Sequence, residues 1–305
     1  MASGKSKEMA MLAASAGRYS EFAPPPALRC HFSRLWSHTL RDGPPAKVAI
    51  VPDGYCDLLW IGGRLVVAGP DRTAAFPVIR PGTTVIGARF APGAAASWLK
   101  TPLSALVGLS VPLADIGRKD TAEFEARLQD CPDPAAAAML FARLLEEAAG
   151  DEEAPARDAA VIFAAADTGR QASGLLGISE RQLRRRCHHH FGHGAKTLER
   201  IRRFQRFLDL CRSSDTMPLA CLALEAGFAD QAHMTREVGE LSTLTPTVIL
   251  DQLGMRKTSG GPFCSRRRRP VCYSRETSCE GPASHADNAC ENRPPLHRAR
   301  LARRL

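Results

Sequence analysis

The sequence predicts an α+β chain: a β-rich N-terminal domain, then an all-α domain of two similar helical units joined by a linker helix, then a disordered C-terminal tail. Three observations predict it. Between residues 20 and 130, short runs rich in Val, Ile, Leu and Trp are cut by Pro and Gly. From Ala156 the apolar residues take a helical spacing, and one short-helix, turn, longer-helix pattern occurs twice. After about Asp251 apolar periodicity stops while arginine accumulates.

Composition removes several classes of protein. The 305 residues include 41 Lys+Arg and 32 Asp+Glu, a net charge of +9, and the length suits two domains. No apolar run reaches the roughly 18 residues of a membrane span. The ten cysteines include no Cys-x-x-Cys pair, which sets aside the commonest zinc and redox signatures, and the chain is too long for a disulfide miniprotein. At the start, Lys5 and Lys7 precede the apolar stretch Met9–Ala16, but Glu8 interrupts the junction and the stretch is short for a signal core. Residues 1–19 are therefore expected to be a disordered start, and the protein cytoplasmic with reduced thiols.

The N-terminal domain is expected over 20–150. Strands are read at Leu28–Leu40, Lys47–Val51, Leu58–Ile61, Leu65–Ala68 and Thr84–Phe90. Turn residues stand between them at Asp53-Gly54, Gly62-Gly63 and Pro81-Gly82. A helix is expected near Ala94–Leu99. A second is expected over 135–148, where Met139, Leu140, Leu144 and Leu145 are helically spaced. The charged run Asp151-Glu152-Glu153-Ala154-Pro155 marks a linker over 151–157.

The helical domain is expected over 158–250. Helix candidates Asp158–Ala166 and Gln171–Leu176 precede the turn Gly177-Ile178-Ser179, where Ser179 caps a helix running to about His190. On that helix Leu183 and Cys187 point inward, and Arg181, Arg184 and Arg185 share the opposite face. This is the sequence form of a helix-turn-helix. A linker helix, Ala195–Cys211, follows with the inward stripe Leu198, Ile201, Phe204, Leu208, Cys211, while Arg200, Arg203 and Arg206 face away. The first pattern then repeats: Leu219–Ala226, the turn Gly227-Phe228-Ala229, and a helix capped by Asp230 that runs to about Leu241. Met234, Val238 and Leu241 form its inward stripe, leaving Gln231, His233, Thr235 and Arg236 outside. The two caps are 51 residues apart, so two units could enter successive major grooves.

Charge is unevenly placed. Residues 1–169 carry a net −2, 170–250 a net +4 and 251–305 a net +7, and Gly177–Arg206 alone carries +7. That density fits a polyanion partner and equally a solvated helix face.

Leu176-Gly177-Ile178-Ser179-Glu180-Arg181-Gln182-Leu183-Arg184-Arg185 resembles the first motif of AraC/XylS-type transcriptional regulators. Ala223 through Glu237 resembles the second, and Leu244-Thr245-Pro246 is similar to the family's closing Leu-Thr-Pro. The resemblance implies a bipartite domain that binds double-stranded promoter DNA. By position it implies contacts from Arg181, Arg184 and Arg185 in the first unit and from Gln231, His233, Thr235 and Arg236 in the second. RNA polymerase, a homodimer partner and a small-molecule effector are the further partners it implies. Cys187 and Val238 stand where the family usually has Phe, and residues 207–250 are acidic, so the first unit is expected to supply most of the phosphate attraction.

The front half resembles, more loosely, an uncharacterised domain often fused to such regulators, through Val51-Pro52-Asp53-Gly54, Asp57-Leu58-Leu59-Trp60 and Gly87-Ala88-Arg89-Phe90. In the wider family such domains bind effectors or dimerise, often in cupin-like folds. Asp53, Asp57, Trp60 and Arg89 are the candidate effector residues, against a plain core role for Trp60 and a turn role for Asp53. The stretch lacks a His-x-His pattern, so neither metal nor cofactor is expected there. His188, His189, His190 and His193 are read as solvated or phosphate-facing. No nucleophile elbow, phosphate loop or His-Glu-x-x-His occurs, so no catalysis is expected. Two alternatives stay open: a small-molecule-binding protein or enzyme centred on residues 20–130, and a degraded regulator with impaired DNA binding. In the tail, Cys264, Cys272, Cys279 and Cys290 match no zinc spacing. The run Arg266–Arg269 fits either non-specific DNA affinity or an out-of-frame or readthrough extension.

Overall fold

A computed structural model of the chain describes residues 10–43, 47–117, 120–149, 157–164, 169–213 and 217–254. All of them lie in the first of the chain's two compact units, Met1–Gly260. Residues 151–156 of the linker expected over 151–157, the first nine residues and the tail from 255 lie outside the described residues.

The N-terminal half contains strands β1 (Met11–Leu12), β2 (Gly17–Phe22), β3 (Phe32–Leu40), β4 (Val48–Ala49), β5 (Asp57–Ile61), β6 (Arg64–Ala68) and β7 (Thr84–Phe90). Helix α1 (Ala94–Trp98), strand β8 (Ser110–Pro112) and helices α2 (Thr121–Gln129) and α3 (Pro134–Ala149) follow. Six strands form one antiparallel sheet in the order β2-β3-β7-β5-β6-β8, and β1 pairs in parallel with β4. The β-richness expected of a cupin-like domain is present. Among the described residues the other sheet is the two-stranded β1–β4 pair.

Strand alternation decides what each face does. On β5, Leu58 and Trp60 enter a core shared with Leu65 of β6 and Ile86 and Ala88 of β7, which α1 and α3 cover with Trp98, Phe141 and Leu144. Asp57 and Leu59 of β5, Arg89 of β7 and Trp36 of β3 belong to the opposite face. Gly87 lies across from Trp36 in the β3–β7 register. A Cβ on Gly87 would sit 2.2 Å from the indole ring, so the ring lies over bare backbone that only glycine offers.

The helical half contains α4 (Arg157–Ala164), α5 (Gly169–Leu176), α6 (Glu180–Phe191), α7 (Ala195–Ser213), α8 (Leu219–Ala226), α9 (Gln231–Ser242) and α10 (Pro246–Gly254). Helices α4 through α9 match the expected segments to within a few residues at each end, and α10 has no expected counterpart. Ile162, Phe163, Leu183, Cys187, Phe191 and Leu198 form the core of the first unit. Ile201, Phe204 and Leu208 of α7 join Leu222, Met234, Val238 and Ile249 in the core of the second.

Four expectations need correction. Residues 10–19, placed in a disordered start, form β1 and the beginning of β2. Leu12 is buried there, and its backbone N–H donates to Gln252 Oε1 at 2.8 Å. The strand read from Leu28 begins at Phe32 as β3, because Pro26–Leu28 is a 3-10 turn. Residues 121–129, inside the mainly β region, are helical, with Thr121, Phe124 and Leu128 at helical spacing against the sheet core. The domain expected to end at 250 runs on through α10, since Leu253 is buried four residues after Ile249.

The two halves also share interior. Ala10, Leu12 and Ala49 lie in the same apolar cluster as α7–α10. Ala74 N–H donates to the Leu241 carbonyl at 2.7 Å, and Gln205 Nε2 donates to the Pro52 carbonyl at 2.7 Å. The turn after α6 carries His193, 1% exposed. Burial pushes its imidazole down to about 4, with Arg72 and His188 adding to the shift.

Two predictions follow from this packing. Gly87→Ala should displace Trp36, costing about 1–3 kcal/mol in denaturant unfolding and shifting tryptophan emission; an unchanged midpoint and spectrum would contradict the close approach. Between pH 6.5 and about 4 the unfolded chain binds a proton at His193 that the folded chain does not. Stability should therefore fall with pH across that window, by on the order of 3 kcal/mol from this residue. Asp71, whose carboxyl burial raises to about 6, acts in the opposite sense. The readout is thus the difference between wild type and His193→Gln, which should widen from pH 4 to pH 6.5 and stay flat above; no pH dependence in that difference would refute the assignment.

Candidate functional site

Each helix-turn-helix unit is set by local chemistry. In the first, Gly177 turns the chain at φ 61°. Ser179 then closes a capping box: Gln182 N–H donates to Ser179 Oγ at 3.3 Å, and Ser179 N–H donates to Gln182 Oε1 at 2.9 Å. In the second, Gly227 turns at φ 93°, and Asp230 Oδ1 accepts from His233 N–H at 2.7 Å. Both turns use a left-handed conformation that favours glycine, and both caps satisfy a backbone donor that α6 or α9 cannot.

Anchored by buried Leu183 and Cys187, α6 presents Arg181, Arg184 and Arg185 exposed to solvent. Cys187 is fully buried in a cluster with Phe163 and Phe191, whose rings stack at 5.7 Å. Burial raises the Cys187 thiol to about 11, the pKa of an inert packed cysteine.

Gln231, Thr235 and Arg236 are exposed on α9, Met234 and Val238 face inward, and His233 is partly covered. His233 Nδ1 accepts from Ala229 N–H at 3.2 Å, and its ring meets Phe228 edge-on at 5.5 Å. The imidazole braces the turn at the base of the helix. The Thr235 hydroxyl donates to the Gln231 carbonyl at 2.8 Å, which leaves its methyl group and oxygen lone pairs outward.

The linker-helix arginines depart from the expectation that they face away. Arg203 donates from Nε and Nη2 to Glu237 at 2.8–3.0 Å, and Arg200 Nε reaches the same carboxylate at 3.1 Å while its Nη2 pairs with Glu240. Glu237 is 6% exposed. Arg206 Nε donates to the Ala226 carbonyl at 3.2 Å. Charge in residues 207–250 that reads as acidic is thus partly an internal counter-charge for α7.

Three of the four candidate effector residues meet on the open face of the sheet. Arg89 Nη2 lies 2.6 Å from Asp53 Oδ2, and its Nε donates to Asp57 Oδ1 at 3.3 Å. Trp36 Nε1 donates to the same Asp57 oxygen at 3.2 Å. Asp53 Oδ1 also accepts from Tyr55 N–H at 3.0 Å, an Asx turn that confirms its turn role. The two carboxylates hold the guanidinium firmly protonated, while burial raises the Asp53 carboxyl despite Arg89. These groups line a cavity of about 470 Å³ with Tyr19, Leu59 and, from α7, Gln205, Leu208 and Arg212. Trp60 is corrected: it packs in the core on the opposite face. Sequence reasoning missed Trp36 in its place, and the signal was the unpacked Gly87 inside a strand.

Residues 173–252 match the family described as Helix-turn-helix domain, and residues 20–112 match a Domain of unknown function (DUF6597). No curated protein matches the chain. Among solved structures, ToxT from Vibrio cholerae O395 is 10% identical, covering 72% of this chain and 98% of that one at a TM-score of 0.41. Unsaturated fatty acid bound wild-type ToxT from Vibrio cholerae strain SCE256 is 11% identical, covering 72% and 94% at a TM-score of 0.37. Likenesses this distant carry no argument about this chain.

Because Glu237 is buried beside two guanidiniums, Glu237→Ala should cost about 2 kcal/mol, Arg203 losing its carboxylate while Arg200 keeps Glu240. Heat or denaturant unfolding checks this, and a loss under 1 kcal/mol would show the pairs to be incidental. Taken with its two capped helices, the match makes residues 173–252 a helix-turn-helix domain, preceded over 20–112 by a segment that matches a domain of unknown function.

Proposed function

We propose that the chain binds promoter DNA by laying α6 and α9 in successive major grooves, and that a small molecule in the cavity against α7 modulates this binding. The observation that carries the DNA reading is the pair of equivalent capped helices, one exposing Arg181, Arg184 and Arg185, the other Gln231, Thr235 and Arg236. A major groove about 12 Å wide admits one helix, and a guanidinium reaches guanine O6 and N7 in a bidentate pair. Arg184 and Arg185 are best placed for that role. The α9 side chains, with less free positive charge around them, add base discrimination more than phosphate grip. His233 belongs to the contact set through the turn it braces.

Supporting the regulatory half, one cavity is walled both by the sheet and by the helix that joins the two units. A second copy of the chain is a further partner on this reading, supported by β2, which pairs on one side only among the described strands and exposes Tyr19 and Phe22. RNA polymerase and a cytoplasmic location belong to the same reading, since the target is promoter DNA. Among the described residues no helix is long and apolar enough to cross a membrane.

The test is fluorescence anisotropy of the full chain on labelled DNA from upstream of its own gene and on a shuffled control at near-physiological salt. Specific affinity should exceed the control by about 10³-fold or more. Arg184→Ala or Arg185→Ala should cost about 1–3 kcal/mol on the specific site and much less on the control. Equal losses on both DNAs would remove base readout from these arginines.

A further inference from the structure

The cavity between the sheet and α7 has a charge arrangement that selects among ligands, and this inference rests on the reading of that cavity as the effector site. Its volume, about 470 Å³, is within the range of small-molecule pockets. Five charged side chains line it: Glu21, Asp53, Asp57, Arg89 and Arg212. Arg212 Nη1 is engaged by Asp209 at 2.7 Å, and Glu21 has Arg34 at 3.6 Å. Among the described residues, Arg89 alone serves both Asp53 and Asp57. Two carboxylates therefore share one guanidinium, and the network holds one negative charge more than its positive charge.

We propose that this cavity binds an organic monocation with an apolar or aromatic body, the cation completing the Asp53–Arg89–Asp57 network and the body packing between the sheet and α7.

Burying an excess carboxylate is unfavourable unless a proton or a cation balances it. Burial above all raises the Cys56 thiol and the Tyr19 phenol, with Asp57 and Asp53 adding at Cys56 and Glu21 adding at Tyr19 against Arg89. The walls suit a cation with a lipophilic body. Tyr19 and Trp36 stand with ring centroids 5.8 Å apart, offering π faces to an ammonium, and Leu59 and Leu208 supply apolar surface. An anionic ligand fares worse, because Arg89 could meet it only by leaving one of the two carboxylates it already holds. Leu208, Gln205 and Arg212 are on α7, so the ligand would touch the helix whose Arg200 and Arg203 hold the second recognition helix. Occupancy is thereby linked to the DNA-reading surface without a further relay.

The experiment is isothermal titration of the full chain with three probes of similar size: benzyltrimethylammonium, 3-phenylpropionate and 3-phenylpropanol. Benzyltrimethylammonium should bind one site at least tenfold tighter than either of the others. Asp53→Asn should weaken it at least tenfold, and so should Leu208→Trp, which fills the cavity from α7 and leaves the carboxylates in place. Circular dichroism melts establish that each variant is folded, and should either fail to fold, the preference among the three probes on the wild-type chain decides by itself. Tighter binding of 3-phenylpropionate would overturn the cation and leave the effector cavity standing. Cation binding of equal strength in wild type and both variants would place the ligand elsewhere and overturn the inference. Binding of none of the three would overturn both the ligand class and the cavity reading.

Discussion

One buried carboxylate organises the helical half. Glu237 leaves α9 pointing at α7, and Arg200 and Arg203 close on it from successive turns of the linker helix. A charge this covered is tolerated only when paired and hydrogen-bonded, so α9 has one low-energy seat on α7, with Phe228 beneath Arg203 at 5.2 Å completing it. The arrangement has a functional consequence. Arg200 and Arg203 of α7 are engaged internally, and the exposed guanidiniums of Arg181, Arg184 and Arg185 stand on α6. On the proposed reading the first unit would supply grip, and the second orientation and discrimination.

The same helix ties the reading heads to the sheet. Gln205 meets the Pro52 carbonyl, and the next residue, Asp53, begins the carboxylate pair around Arg89. On the other flank, Gln252 of α10 accepts from Leu12 N–H and donates to the Ala10 carbonyl. The N-terminal half therefore grips both α7 and α10, and the β1–β4 pair lies in the interior of the second unit. On the proposed reading, a change in the cavity would reach the DNA-reading helices through these packed side chains.

What the sequence made legible was the local part. Helix periods, the two caps and the turn glycines depend on residues within one or two turns of each other, and α4 through α9 stand where those signals place them. Non-local features were not legible. Strand β2 escapes a sequence reading because most of its residues stay exposed, and only pairing with β3 identifies it. Trp60 and Trp36 look equally suited to a pocket in sequence; strand parity within the folded sheet sends one to the core and the other to the cavity. Arg203 reads as solvent-facing because its partner is 34 residues away and on another helix, beyond the reach of any periodicity argument.

The central claim is that α6 and α9 act as one reader held at a fixed separation by α7. Hydroxyl-radical and methylation-interference footprinting of the full chain on its specific site test it most directly. The account predicts two protected major-groove tracts on one face of the duplex, one helical turn of about 10 base pairs apart, with guanine interference concentrated in the tract under α6. A single tract, or two on opposite faces, would contradict it.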